Sequence, residues 1–308
     1  MRRRFFLVTN PGAGLTGSPL VDAVADGLLR AGAVLTLTQP VDIDSARCQA
    51  REASASGRYD AILAAGGDGT IRQVAASLLG TQVPLGLIPV GTANVLAHEI
   101  GLVPQAGAIV NMLLHGSVIG AACAYANDEP FLLMAGAGFD GRVIAALDHR
   151  LKAQVGKAAY AGPMIGALAH PVDTLTVTID GTPHEASWAV IANARHYGGS
   201  FIMARRTGIR ERGLQAILFK AKNRAELFSQ LVALAMGQLD ARAASHGDIE
   251  MVPCARASIS ARHPVPTQID GDALGTTPLE VAAGSAELQL IVPVGSPASG
   301  VQPKLTFR

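Results

Sequence analysis

The chain is short of the residues that mark several functional classes. Its three cysteines, Cys48, Cys123 and Cys254, stand apart with no CxxC pair. That argues against a disulfide framework or a cysteine zinc site and fits the cytoplasm. Aromatic residues make up 4% and charged residues 16% of the 308. Twenty-five basic and 24 acidic side chains leave a net charge of +1, so the attraction that drives nucleic-acid binding is missing. No apolar run approaches the ~20 residues that span a bilayer. HExxH spacing, a Gly-x-Ser-x-Gly elbow and a Gly-x-x-x-x-Gly-Lys-Ser/Thr loop are all absent. Met1-Arg2-Arg3-Arg4 before an apolar stretch imitates a secretory leader, but the stretch stops at Asn10-Pro11-Gly12 and reads as a first strand.

Hydrophobic residues are abundant at 49%, and there are 34 glycines, which suits a core-forming α/β protein with many tight turns. The central stretch is Ala61-Ile62-Leu63-Ala64-Ala65-Gly66-Gly67-Asp68-Gly69-Thr70-Ile71. Its first part is apolar throughout, as in a parallel strand covered on both faces. Ile71, Val74, Ala75 and Leu78 then recur at helical spacing, which predicts a helix from near Thr70. Glycine lets a ligand approach the backbone, and a helix start favours phosphate. A carboxylate beside phosphate repels it unless a cation intervenes, so Asp68 points to a Mg²⁺-nucleotide, with a simple capped turn as the alternative.

Strands are expected over residues 5–9, 34–38, 60–65 and 83–90, with helices between them. This rhythm predicts a doubly wound parallel sheet with ligands at the carboxyl ends of its strands. Asn10, Gly12 and Gly14 lie in a loop after the first strand, and Gly91, Thr92 and Asn94 in a loop after the fourth. Beyond residue 120 the pattern changes to short β runs at 121–126, 131–135, 175–180, 186–192, 214–219, 257–261 and 288–292. These predict an antiparallel sandwich. The expected division is 1–120 and 121–292, with the 293–308 tail returning to the first domain. A helix over 224–239, with Leu227, Leu231 and Leu234 on one face, reads as core. Arg205, Arg206, Arg210, Arg212, Lys220, Lys222 and Arg224 form a basic run, either a solvated face or a patch for anionic head groups.

Gly66-Gly67-Asp68-Gly69-Thr70 resembles the nucleotide-binding signature of the diacylglycerol kinase catalytic family, which includes bacterial lipid kinases and sphingosine and ceramide kinases. NAD kinases and phosphofructokinases resemble it more distantly. The family's Asn-Pro-x-(Ser/Ala)-Gly loop is matched by Asn10 to Gly14, and its Pro-x-Gly-Thr-x-Asn by Pro89, Gly91, Thr92 and Asn94. In the second half, Gly136, Gly138 and Asp140 resemble Gly-x-Gly-x-Asp. Asn193, Tyr197, Gly198 and Gly199 resemble Asn-x-x-x-Tyr-Gly-Gly, and Gln268-Ile269-Asp270-Gly271-Asp272 resembles Gln-x-Asp-Gly-Glu. The chain departs from the family at Arg72-Gln73, at Val95, at Asp272 in place of Glu, and at Glu211 where an Asp would help hold a structural Mg²⁺.

The resemblance implies a cytoplasmic lipid kinase that meets its substrate at a membrane surface. It would use ATP and Mg²⁺ to phosphorylate a hydroxyl of diacylglycerol or a sphingoid base. Nucleotide would bind at Asn10, Gly12, Gly14, Thr38, Gly66, Gly67, Asp68, Gly69, Thr70, Ile71, Arg72, Gly91, Thr92 and Asn94. Catalysis would fall to Asp272, with Asp68 and Asp270, and metal to Asp68 and Glu211. An NAD kinase-like enzyme and a non-catalytic lipid or nucleotide binder remain alternatives, and a homodimer is left open.

Overall fold

The computed structural model describes residues 1–9 and 18–299. The chain divides into two compact units. One is built from Met1–Ala122 with residues 286–299, the other from Cys123–Ser285. Among the described residues no helix is long and apolar enough to cross a membrane.

The first unit alternates strand and helix: β1 (Arg4–Thr9), α1 (Pro19–Arg30), β2 (Val34–Thr38), α2 (Ile43–Ala55), β3 (Ala61–Gly66), α3 (Asp68–Leu78), β4 (Leu85–Pro89), α4 (Val95–Glu99), α5 (Ala106–His115) and the start of β5 (Ser117–Ala126). Strands pair in parallel in the order β2, β1, β3, β4. Every residue of β3 and β4 is buried, and each Leu or Ile sealed there contributes about 2 kcal/mol. Helix α1 packs with α5 and α2 with α3. The basic start of the chain is tied down. Arg2 donates to the carbonyls of Leu113 (3.0 Å) and Gly116 (2.8 Å), and Arg4 pairs with Asp60 at 2.7 Å. Helix α2 starts earlier than its apolar pattern suggests, because Asp42 and Ser45 form a reciprocal capping box.

The second unit contains β6 (Glu129–Phe131), β7 (Met134–Ala137), α6 (Phe139–Ala145), α7 (His149–Val155), α8 (Ala161–Ala169), β8 (Leu175–Ile179), β9 (Thr182–Ala186), β10 (Trp188–Ala192), β11 (His196–Tyr197), β12 (Phe201–Ile202), β13 (Leu214–Phe219), α9 (Arg224–Ala235), α10 (Leu239–His246), β14 (Ile249–Cys254), β15 (Arg256–Ala261), β16 (Pro266–Ile269), β17 (Asp272–Thr276) and the first half of β18 (Leu279–Val292). Six strands form an antiparallel sheet in the order β14, β13, β10, β7, β16, β17. Facing it, the first half of β18 pairs with β15, then β8 and β9. Leu214, Ala216, Leu218, Ala189 and Ile191 from one layer meet Val177, Ile179, Ile259 and Val281 from the other in one apolar cluster, as alternation in a sandwich requires. Strands β10 and β13 are buried on both faces. On the outer face Trp188 stacks on Phe219 at 3.9 Å between ring centres.

Several expected segments are broken. The apolar run 131–135 splits at Leu132–Leu133 into β6 and β7, and 186–192 splits at Ser187, whose hydroxyl donates to the Phe219 carbonyl. The long helix expected over 224–239 stops at Ala235, with Gly237 at φ +67°, and α10 begins at Leu239. Within the first unit, the last residues of β18 lie beside β4, with Leu290 opposite Leu85, and the Ser296 hydroxyl donates to the Ile100 carbonyl at 2.5 Å. Residues 300–308 lie outside the described chain.

Candidate functional site

The first unit presents two glycine loops side by side, at the carboxyl ends of β3 and β4. Gly67 caps α3 in extended conformation, and the helix begins at Asp68 rather than near Thr70. The side chain of Asp68 reaches away from its own helix. Its two carboxylate oxygens accept the backbone N–H groups of Val95 and Leu96, each at 3.0 Å. These are the first N–H groups of α4, which the helix cannot satisfy itself. Asn94, left-handed at φ +48°, exchanges side-chain bonds with the N–H and carbonyl of Gly91, both at 2.9 Å. The Val90 N–H donates to the Gly66 carbonyl at 3.1 Å. A Cβ on Gly91 would overlap the Cα of Gly67, and one on Gly66 would lie 2.5 Å from the Thr70 side chain. The two loops are therefore in backbone contact, and glycine is needed at both.

Gly66, Gly67, Asp68, Gly69, Thr70, Gly91, Thr92 and Asn94 thus come together. Ile71 is buried, and its N–H is bonded to the Gly67 carbonyl at 3.0 Å; its part is to seat the helix. Arg72 is also buried, beside Gln73, which accepts from Arg47 at 2.6 Å. Thr38 ends β2, two strands away in the sheet order, with its hydroxyl bonded to Gln49. Asn10, Gly12 and Gly14 lie outside the described residues. Glu211 is an exposed turn residue of the second unit. Among the described residues no three His, Cys, Asp or Glu side chains gather as a metal-ligand cluster, so neither Asp68 nor Glu211 sits in a carboxylate cage.

In the second unit the acids lie on the β16–β17 hairpin. Ile269 pairs with Asp272 across a two-residue turn, with Asp270 at φ +49° and Gly271 at +83°. The Asp270 carboxylate is buried and accepts three N–H groups: Leu132 (2.9 Å), Leu133 (2.9 Å) and Met134 (3.0 Å). Asn193 holds the same segment from its other side, donating to the Leu132 carbonyl at 2.7 Å. This explains the break between β6 and β7. Asp272, half-buried, opens β17. The turn that carries it is fixed by Gln268, whose side-chain carbonyl accepts from the Gly271 N–H at 3.0 Å. The Gln268 amide donates to Asp140 at 2.9 Å.

Asp140 was visible in the sequence as part of a Gly-x-Gly-x-Asp motif, but not its connection to Gln268. It is buried near the start of α6, and burial pushes its carboxyl up to about 6 against bonds from Gln268 and Gly141. Burial, then the charge of Asp140, also pushes the Tyr197 phenol well up. The cysteines offer no thiolate. Burial and then Asp270 raise Cys123 to about 12, burial and then Asp180 raise Cys254 to about 11, and Glu52 raises Cys48.

These features have counterparts among known proteins. The diacylglycerol kinase catalytic domain model matches residues 4–125, and the YegS C-terminal NAD kinase beta sandwich-like domain model matches residues 134–292. The chain belongs to the diacylglycerol kinase catalytic family. A Pseudomonas putida protein named as a probable lipid kinase, YegS-like, is 29% identical over 89% of this chain and 90% of its own length. An uncharacterized Synechocystis protein is 31% identical over 80% of this chain, and a Citrobacter koseri probable lipid kinase is 34% identical over 48%. This chain spans 58% and 51% of those two relatives. A solved diacylglycerol kinase structure from Bacillus anthracis has a TM-score of 0.74 at 21% identity, over 97% of this chain and 99% of that one; it shares the fold.

Proposed function

We propose that this family member is an ATP- and Mg²⁺-dependent kinase that phosphorylates a lipid hydroxyl, such as that of diacylglycerol or a sphingoid base, at the cytoplasmic surface of a membrane. The observation that carries this reading is the pair of glycine loops joined by Asp68. They bring bare backbone and the start of α3 to one edge of a parallel sheet, the arrangement that suits phosphate. Relatives named as probable lipid kinases support the substrate class.

ATP supplies the phosphoryl group, and Mg²⁺ offsets its charge. Gly66, Gly67, Gly91 and the first turn of α3 would hold the nucleotide, with Thr92 as a further hydroxyl contact. Asp68 keeps the two loops in register. Among the described residues no metal-ligand cluster gathers; in this reading Mg²⁺ would be bound together with the nucleotide phosphates. Asp272 accepts the proton of the lipid hydroxyl as the oxygen attacks. Gln268, braced by Asp140, orients the turn, and Asp270 anchors the hairpin to residues 132–134.

Incubation with labelled ATP and a panel of lipid alcohols tests this directly, by product analysis. Labelled soluble dinucleotide instead of lipid would favour an NAD kinase-like activity. Nucleotide binding without labelled product would leave a non-catalytic binder.

A further inference from the structure

Helix α9 is apolar on both sides. Leu227, Gln230, Ala233 and Leu234 face the body of the second unit and are buried. Outward, Phe228, Val232 and Met236 are 57%, 40% and 64% exposed. At spacings of four they form one row along the helix. Phe201 of β12, which packs against α9, is also exposed at 43%. Single exposed apolar side chains are ordinary, but a continuous row signals a surface that something covers.

The charge around the row shows what. Arg224 precedes Phe228 by one turn, and Lys222 lies two residues before Arg224. At the other end of the helix the Arg205 guanidinium is bonded to the Gly237 carbonyl at 3.3 Å and to Asp240 at 2.9 Å, and the exposed Arg206 follows it in the chain. Among the described residues Arg206, Lys222 and Arg224 make no ion pair. The nearby acids are engaged: Glu226 accepts from the Lys222 N–H and the Asn223 amide, and Asp240 pairs with Arg205. A row of aromatic and aliphatic side chains with cations at both ends complements a bilayer. Apolar groups reach the acyl boundary while cations meet anionic head groups.

We propose that the Phe228–Val232–Met236 face of α9 docks on an anionic lipid surface, with Arg206, Lys222 and Arg224 as its electrostatic contacts. The proposal rests on the lipid-kinase reading for its biological sense, and its test is independent of catalysis. The full chain would be sedimented with phosphatidylcholine vesicles, with and without phosphatidylglycerol. Phe228→Ser with Met236→Ser should lower binding to anionic vesicles about tenfold or more, because single insertions at an interface are marginal. Lys222→Gln with Arg224→Gln should lower binding only where phosphatidylglycerol is present, and added salt should mimic it. All four positions are exposed, so circular dichroism should show both variants folded. Wild-type vesicle binding by both folded variants would overturn the proposal. So would a dimer in size-exclusion chromatography that Phe228→Ser dissolves, since a second copy would then cover the face. Vesicle binding that depends on Phe228, with no lipid phosphorylated, would support docking and sink the kinase reading instead.

Discussion

The carboxylate of Asp68, the first residue of α3, accepts the N–H of Val95, the first residue of α4, at 3.0 Å, and its other oxygen takes the N–H of Leu96. One side chain thereby ties together the two glycine loops of the candidate nucleotide site. Asp68→Asn places an amide nitrogen against a backbone N–H. It should cost about 1–3 kcal/mol of stability and weaken nucleotide binding. Urea unfolding and ATP titration measure both. A variant of unchanged stability that only loses turnover would assign Asp68 a purely chemical role.

The close approach of Gly67 and Gly91 gives a paired test. A Cβ on Gly91 overlaps the Gly67 backbone, whereas one on Gly67 comes 3.3 Å from the Gly91 Cα. Gly91→Ala should abolish nucleotide binding and lower stability by about 2 kcal/mol. Gly67→Ala should be milder in both. Equal effects in the two variants would contradict this geometry.

How much of this was legible in the sequence follows from where each partner lies. The glycine loops are local strand–turn–helix patterns and could be read directly. The role of Asp68 could not, because its partners are 27 and 28 residues away. The split in the 131–135 run was hidden for the same reason: Asp270, 137 residues from Leu133, captures its N–H. Strand β16 escaped notice because it is short and opens on Pro266. Of the α9 leucines read as core, Leu227 and Leu234 are buried, whereas Leu231 is only half-buried. The outer row was invisible because a helix apolar on both faces carries little periodic contrast.

Asp270 and Asp272 sit two residues apart, yet the structure separates them. Asp270→Asn loses acceptors for buried N–H groups and should destabilise the protein by about 2–4 kcal/mol. Asp272→Asn, at a half-buried strand residue, should cost clearly less stability than Asp270→Asn, while lowering turnover by about 10²–10⁴. Asp180 provides a control. It occupies the same kind of turn and accepts the N–H groups of Ala255 and Arg256. Asp180→Asn should therefore lose stability without a specific loss of turnover.

Burial raises the Asp140 carboxyl from about 3.8 to about 6. Its contribution to stability is full below the unfolded value and is lost as pH rises through the folded one. Relative to the wild type, Asp140→Asn should therefore gain stability between pH 4 and pH 7, by at most about 3 kcal/mol. Comparing urea midpoints of the two proteins isolates this group from Asp248 and Glu250, which hydrogen bonds and paired charges hold low despite burial and which act in the opposite direction. A pH-independent difference would contradict the assignment.

The central claim is phosphoryl transfer to a lipid hydroxyl with Asp272 as base. The most direct measurement is transfer of labelled phosphate from ATP to a lipid extract by the wild type and by Asp272→Asn, both checked for folding. The account predicts a labelled lipid with the wild type and almost none with the variant, while both still bind ATP. An unlabelled extract with the folded wild type, or full labelling by Asp272→Asn, would contradict it.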